Sequence, residues 1–183
     1  MSAFPKPYAD RVAKLRVPFG FVLVIAFAWF SRPAPLSLLI GLPVSLLGLL
    51  LRAWATGHLE KNIRLAESGP YAYIRNPLYL GTLLVAAGLV VAARRWTLAL
   101  IFAAVFVLVY LPVIELEEQH LRALFPAFTD YSRRVPALWP RLPARGAGQR
   151  FRGELYVRNR EYQALLGFAA GVAFLIAKML RDS

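Results

Sequence analysis

Five apolar runs, at positions 17–30, 36–51, 76–93, 96–114 and 163–178, limit what this chain can fold into. An α-helix of about 20 apolar residues crosses the hydrocarbon core of a bilayer. Inside that core no water is available to backbone N–H and C=O groups, so a spanning segment must satisfy them itself. Five such runs in 183 residues, with 58% hydrophobic composition and a mean hydropathy of +0.52, exceed what a soluble domain of this size carries. The fold class that follows is all-α: a polytopic membrane helical bundle of about five transmembrane helices. Gly41, Pro43 and Gly48 inside the second run are tolerable in a membrane helix and predict close packing or a kink. Gly167 to Gly171 in the last run is a small-residue packing pattern.

Charge orients the bundle. The formal net charge is +12, but the basic residues sit beside and between the apolar runs, and no nucleic-acid-reading motif accompanies them. With the N-terminus in the cytoplasm, segments 1–16, 52–76 and 115–162 share one side and carry 17 of the 22 lysines and arginines. The positive-inside rule then places the protein with its N-terminus cytoplasmic, in the plasma or inner membrane if bacterial, and Arg94-Arg95 is the one dissent. Residues 1–16 are polar and basic with no small-residue cleavage site after the first run, which predicts a retained anchor instead of a signal peptide. Zero cysteines exclude disulfides, a thiolate nucleophile and a Cys-ligated metal. Two histidines, His58 and His120, are too few for a His-rich metal site, so no metal is expected.

Two polar clusters fall on the predicted cytoplasmic side. The first is Gly69-Pro70-Tyr71-Ala72-Tyr73-Ile74-Arg75-Asn76-Pro77-Leu78-Tyr79-Leu80-Gly81. Pro77 forbids a helix from running through Asn76 and suits the first turn of the one that follows. That helix start, with Arg75 beside it, offers donors to an anionic group; the plainer alternative is a membrane re-entry turn with belt tyrosines. The second cluster, 115–139, opens with Glu115, Glu117 and Glu118 at the mouth of an apolar run, where a carboxylate is costly unless solvated or paired. Either Arg122 pairs with Glu118 along a solvated helix, or one glutamate turns toward Arg75 and the tyrosines. The clusters are the two ends of one antiparallel hairpin and should lie close in space.

The first cluster resembles the Gly-Pro-Tyr-x-x-x-Arg-His-Pro-x-Tyr-x-Gly signature of the isoprenylcysteine carboxyl methyltransferase and phospholipid methyltransferase superfamily. Glu117-Glu118, Leu121, Phe125, Tyr131 and Arg134-Val135-Pro136 look like that family's Glu-Glu block and its Tyr…Arg-Val-Pro tail. The similarity covers about residues 50–140. It implies a methyltransferase-like core in 52–140; length and the apolar runs predict a single membrane domain, 1–183, with anchor helices in 1–51 and a basic connector with an extra C-terminal helix in 141–183. It also implies a membrane-embedded methyltransferase with a cytoplasmic-side pocket for S-adenosylmethionine, acting on a lipophilic substrate that arrives from the bilayer. The chain accordingly has no glycine-rich dinucleotide fingerprint. Carried over residue by residue, Tyr71, Tyr73, Asn76, Pro77, Leu78, Tyr79, Gly81, Glu117 and Glu118 would bind the cofactor. Glu117 and Arg75 would be the catalytic pair. Two positions depart from the family: Asn76 stands where it has histidine, and Val113 stands where the isoprenylcysteine enzymes have arginine. An NADPH-dependent membrane reductase of the sterol-reductase type shares a related hairpin but is expected to be longer. A catalytically silent membrane adaptor is the remaining alternative. The acceptor atom and the oligomeric state are not encoded in any motif.

Overall fold

A computed structural model of the chain describes residues 4–142, 148 and 150–182, without the side chains of Lys6 and Arg16. It is helical, with no strand among the described residues. Helix α1 (Lys6–Phe30) is bent by 52° between its halves, next to Pro18, whose ring displaces the preceding turn. Helices α2 (Pro35–Thr56) and α3 (Pro77–Ala93) each open on a proline. A proline there loses no hydrogen bond and arrives with helical φ.

The pairing of α2 with α3 is the tightest in the molecule, and small residues cause it. A Cβ on Gly41 would stand 2.3 Å from the Gly88 carbonyl, and one on Gly48 would stand 2.6 Å from that of Gly81. Backbones this close leave room only for hydrogen. Between these contacts Ser45 Oγ donates to the Val85 carbonyl at 2.8 Å, and beyond the Gly41 contact Ser37 Oγ donates to that of Ala92 at 2.9 Å. Without a hydrophobic drive between helices in lipid, close backbone approach and side-chain hydrogen bonds supply the association. The packing expected of Gly41 and Gly48 is therefore present. The same expectation for Gly167 and Gly171 fails, because both face open space.

After Arg94, in the left-handed region at φ 53°, the chain turns into one continuous 29-residue helix, Trp96–Leu124. It comprises α4 (Trp96–Val105), a π-helical turn (Phe106–Tyr110) and α5 (Leu111–Leu124). The wide turn has a cause in the sequence. The Leu108 carbonyl would receive an α-helical bond from residue 112, which is a proline with no N–H. Tyr8 of α1 supplies the donor instead, its hydroxyl lying 2.7 Å from the Leu108 oxygen.

Helix α6 (Phe128–Arg134) follows, then α7 (Gly153–Arg158) and α8 (Tyr162–Asp182). The expected connector 141–160 lies partly outside the described residues, at 143–147 and 149, and its later part is not simply a linker. Leu155 of α7 is fully buried. Helix α8 docks through Leu175 against Leu38 and Ala92, and Lys178 Nζ donates to the Ala28 carbonyl at the end of α1, 2.7 Å away.

By length and apolarity three helices can cross a membrane: Pro35–Thr56, Trp96–Leu124 and Tyr162–Asp182. Helix α1 makes a fourth if its bent halves form one span. All five expected runs are helical, yet the count of five spans is not reached. Helix α3 has 17 residues, about 25 Å of rise, which falls short of the hydrocarbon thickness.

Candidate functional site

The end of the bundle where α2 stops and α3 begins also receives the start of α1 and the polar continuation of α5. Between α2 and α3 lie irregular residues 57–68 and a 3₁₀ turn, Gly69–Ala72. These elements enclose a cavity of about 970 Å³, large enough for a cofactor-sized ligand. Its wall is mixed: Leu59, Leu65, Leu78, Leu116 and Phe128 are apolar, while Arg52, Arg64, Tyr79, Tyr110 and Glu117 are not.

The two polar clusters meet here. Arg75 turns back from the start of α3 and grips Glu118 with two nitrogens, at 3.0 and 3.1 Å. Its third nitrogen donates to the carbonyls of Ser132 (2.6 Å) and Val135 (3.1 Å). Asn76 adds its amide to Glu118 (3.0 Å) and to the Ala137 carbonyl (3.2 Å). Backbone bonds continue the seam, from Arg75 N–H to Pro136 and from Asn76 N–H to Ala137. The Tyr131 hydroxyl donates to the Tyr71 carbonyl at 2.8 Å. Burial pushes the Tyr71 and Tyr131 phenols well above their ordinary value of 10.0, so both stay protonated. Neighbouring Tyr131 and Glu117 add to the effect at Tyr71, while Arg75 opposes it at Tyr131.

Glu118 is thus spoken for: of the two alternatives read from the sequence, the turn of a glutamate toward Arg75 is found and the Glu118–Arg122 pair is not. Arg122 lies over the Phe128 ring, 5.8 Å from its centroid. Glu117, one residue earlier on α5, points elsewhere: its carboxylate accepts the Tyr79 hydroxyl at 2.9 Å. Tyr110 meets Tyr79 edge-on at a centroid distance of 6.2 Å. Two aromatic rings and a carboxylate on one cavity wall suit a cationic group.

Of the residues singled out from the sequence, Tyr71, Arg75, Asn76, Pro77, Leu78, Tyr79, Glu117 and Glu118 line this cavity. Tyr73 and Gly81 do not. Tyr73 packs against Trp54, and Gly81 is covered by Arg52 Cγ and the Gly48 carbonyl, within 2.8 Å of where a Cβ would sit. The helix start is also less generous than expected. The N–H groups of Tyr79 and Leu80 both bond back to the Asn76 carbonyl, which leaves Leu78 as the donor it can offer.

Several wall residues were not anticipated: Arg52, Thr82, Tyr110, Asp10 and, after α2, Leu59, Lys61, Asn62, Arg64, Leu65 and Ala66. Tyr110 had a signal, since 110, 113 and 117 fall on one helical face. Arg52, a lone charge ending an apolar run, carried a weaker one. Among the described residues no group of three or more His, Cys, Asp or Glu converges as a metal site.

Comparison with known proteins places residues 45–127 in the match to a family model described as phospholipid methyltransferase. The chain is 35% identical over 139 residues to the cobalt-zinc-cadmium resistance protein CzcN of Cupriavidus metallidurans, covering 72% of this chain and 64% of that protein. It is 35% identical over 116 residues to the nickel-cobalt-cadmium resistance protein NccN of Alcaligenes xylosoxydans xylosoxydans, covering 62% of this chain and 53% of that protein. The chain therefore spans less than two thirds of the length of these curated relatives. No solved structure matches it.

Proposed function

We propose that this chain, whose residues 45–127 match the phospholipid methyltransferase family model, is a membrane methyltransferase using S-adenosylmethionine on a lipophilic acceptor. The observation that carries the reading is the Tyr79–Glu117 contact with Tyr110 at its edge, on the wall of a cavity of about 970 Å³ at the polar end of the apolar bundle. The donor set fits the cofactor: a carboxylate for an ammonium, aromatic rings for a sulfonium, and enough room for both with a nucleoside. Bound there, S-adenosylmethionine would supply an electrophilic methyl group on a cationic sulfur.

The remaining chemistry falls to the protein. Glu117 orients a cationic ligand by charge and, for an acceptor that carries a proton, lies in position to take it. Tyr79 and Tyr110 shield the reacting region from water with their rings, and alignment with exclusion of water is most of what a displacement needs. Arg75 acts on this reading as a strut, not as a chemical participant, because Glu118 and two carbonyls occupy it. Asn76 in place of histidine does the same work: it ties Glu118 to the 132–137 segment without titrating. Two of the cavity arginines, Arg52 and Arg75, are each held bidentately by a carboxylate, and Val113 is apolar, so neither of those arginines is open to an acceptor carboxylate; the third, Arg64, pairs with Glu60 at 3.2 Å.

The relatives' printed names concern metal resistance. Extended to this chain, such a role would run through a methylated membrane component, since the cavity is built for an organic cation. The test is transfer of tritium from methyl-labelled S-adenosylmethionine to a membrane lipid extract by protein in nanodiscs. Label in an extractable lipid supports the proposal, and label release no faster than from empty nanodiscs rejects it.

A further inference from the structure

A buried acid outside the family-matched region touches the site from behind. Glu161, just ahead of α8, is 8% exposed. Its carboxylate receives Arg52 Nε at 2.6 Å and Nη2 at 3.0 Å. The remaining Arg52 nitrogen, Nη1, donates to Thr82 Oγ1 at 2.6 Å and reaches toward the Leu78 carbonyl at 3.4 Å. Thr82 in turn donates to that same carbonyl at 2.9 Å. The guanidinium is planar and rigid, so a carboxylate that fixes two of its nitrogens also aims the third. What it aims at is the first turn of α3, which carries Leu78 and Tyr79 on the cavity wall.

The segment holding Glu161 is itself anchored at the end of α2. Arg152 N–H donates to the Gly57 carbonyl at 3.0 Å. Asn159 Nδ2 donates to the carbonyls of Thr56 (3.2 Å) and Leu59 (3.0 Å). Of these carbonyls, that of Thr56, the last residue of α2, also accepts the Leu59 N–H at 3.2 Å. Glu161 is therefore presented from a fixed backbone, and a buried carboxylate of this kind holds its one strong partner firmly, because separating them strands a charge.

We propose that Glu161 is a positioning residue: it fixes Arg52, which latches the first turn of α3 and holds Tyr79 against Glu117. The C-terminal segment is then a working part of the cavity and not only an extra membrane helix. What Tyr79 contacts during turnover rests on the methyltransferase reading above; the latch itself does not.

The test uses the full chain in nanodiscs with Glu161→Gln, Glu161→Asp and Thr82→Val. Hydrogen exchange over 77–82 reads the latch without ligand, and S-adenosylhomocysteine affinity reads the site. Glu161→Gln should speed exchange in 77–82 and weaken binding, each by about tenfold, the loss expected for a charged hydrogen bond. Thr82→Val, which leaves the Arg52–Glu161 pair intact, should do the same, and Glu161→Asp should recover part of both. Faster exchange in Glu161→Gln with wild-type behaviour in Thr82→Val would overturn the latch, showing Glu161 to be only a support for α8. Unchanged exchange in 77–82 in both would also overturn it. If Glu161→Gln does not fold, Thr82→Val decides alone. Failure of the wild-type protein to bind S-adenosylhomocysteine would reject the cofactor reading, while the exchange measurement still decides the latch.

Discussion

Glu117 and Glu118 are chain neighbours on α5, about 100° apart around the helix axis, and they meet different surroundings. Glu118 is mostly buried, bound by Arg75 and Asn76; Glu117 is exposed to the cavity and holds only the Tyr79 hydroxyl among the bonds described. Their substitutions should separate accordingly. Glu118→Gln leaves Arg75 without its counter-charge and should cost about 2 kcal/mol, a buried-pair loss discounted for partial exposure. Glu117→Gln should leave the melting temperature in nanodiscs unchanged. Equal melting temperatures for the two variants would contradict this division. The buried tyrosines give a pH prediction. With folded-state values raised above the ordinary 10.0, Tyr71 and Tyr131 keep their protons where the unfolded chain loses them. Their stabilising contribution is complete below pH 10 and declines above it. Phenolate absorbance should show two tyrosines that ionise only on unfolding, and Tyr131→Phe should remove one. Both glutamates were legible as a motif, but which one pairs with Arg75 was not. Helical phase decides that, and a one-residue wide turn upstream resets the phase.

At the scale of elements, that wide turn and the α2–α3 seam set the site. Pro112 stands near the end of the fourth apolar run, but the partner that completes the turn, Tyr8, lies a hundred residues from Leu108 and no local pattern points to it. The seam was better announced, because Gly41 and Gly48 are spaced like Gly81 and Gly88. Gly48→Val should push α3 away, since the new Cβ would fall 2.6 Å from the Gly81 carbonyl and 2.7 Å from the Val85 nitrogen. A cost of about 2 kcal/mol is expected for overpacking of this kind. Gly167→Val on α8, where nothing lies within 4 Å, should cost almost nothing. Unfolding in mixed detergent compares them, and equal loss would mean that the seam is not where the bundle is tight. Small residues in α8 misled for a plain reason: composition marks a surface that permits close approach, and only a partner makes it one.

For the whole molecule, the apolar runs gave the helical membrane architecture directly, while the arrangement of the C-terminal segment around Arg52 depends on contacts more than a hundred residues apart. The proposed orientation, with the cavity in the cytoplasm, is testable because the chain has no cysteine. A single cysteine at Arg94 should react with an impermeant maleimide on intact expressing cells, and one at Lys61, on the cavity wall, only after permeabilisation. The reverse pattern would invert the molecule. The central claim is that this cavity holds a sulfonium cofactor against Glu117. Calorimetry with S-adenosylhomocysteine on wild-type protein and Glu117→Gln in nanodiscs, with NADPH alongside, tests it most directly. The account predicts micromolar binding by the wild type, about tenfold weaker binding by Glu117→Gln for the lost charge-assisted contact, and none of NADPH. No binding by the wild type, or equal binding by both proteins, would contradict it.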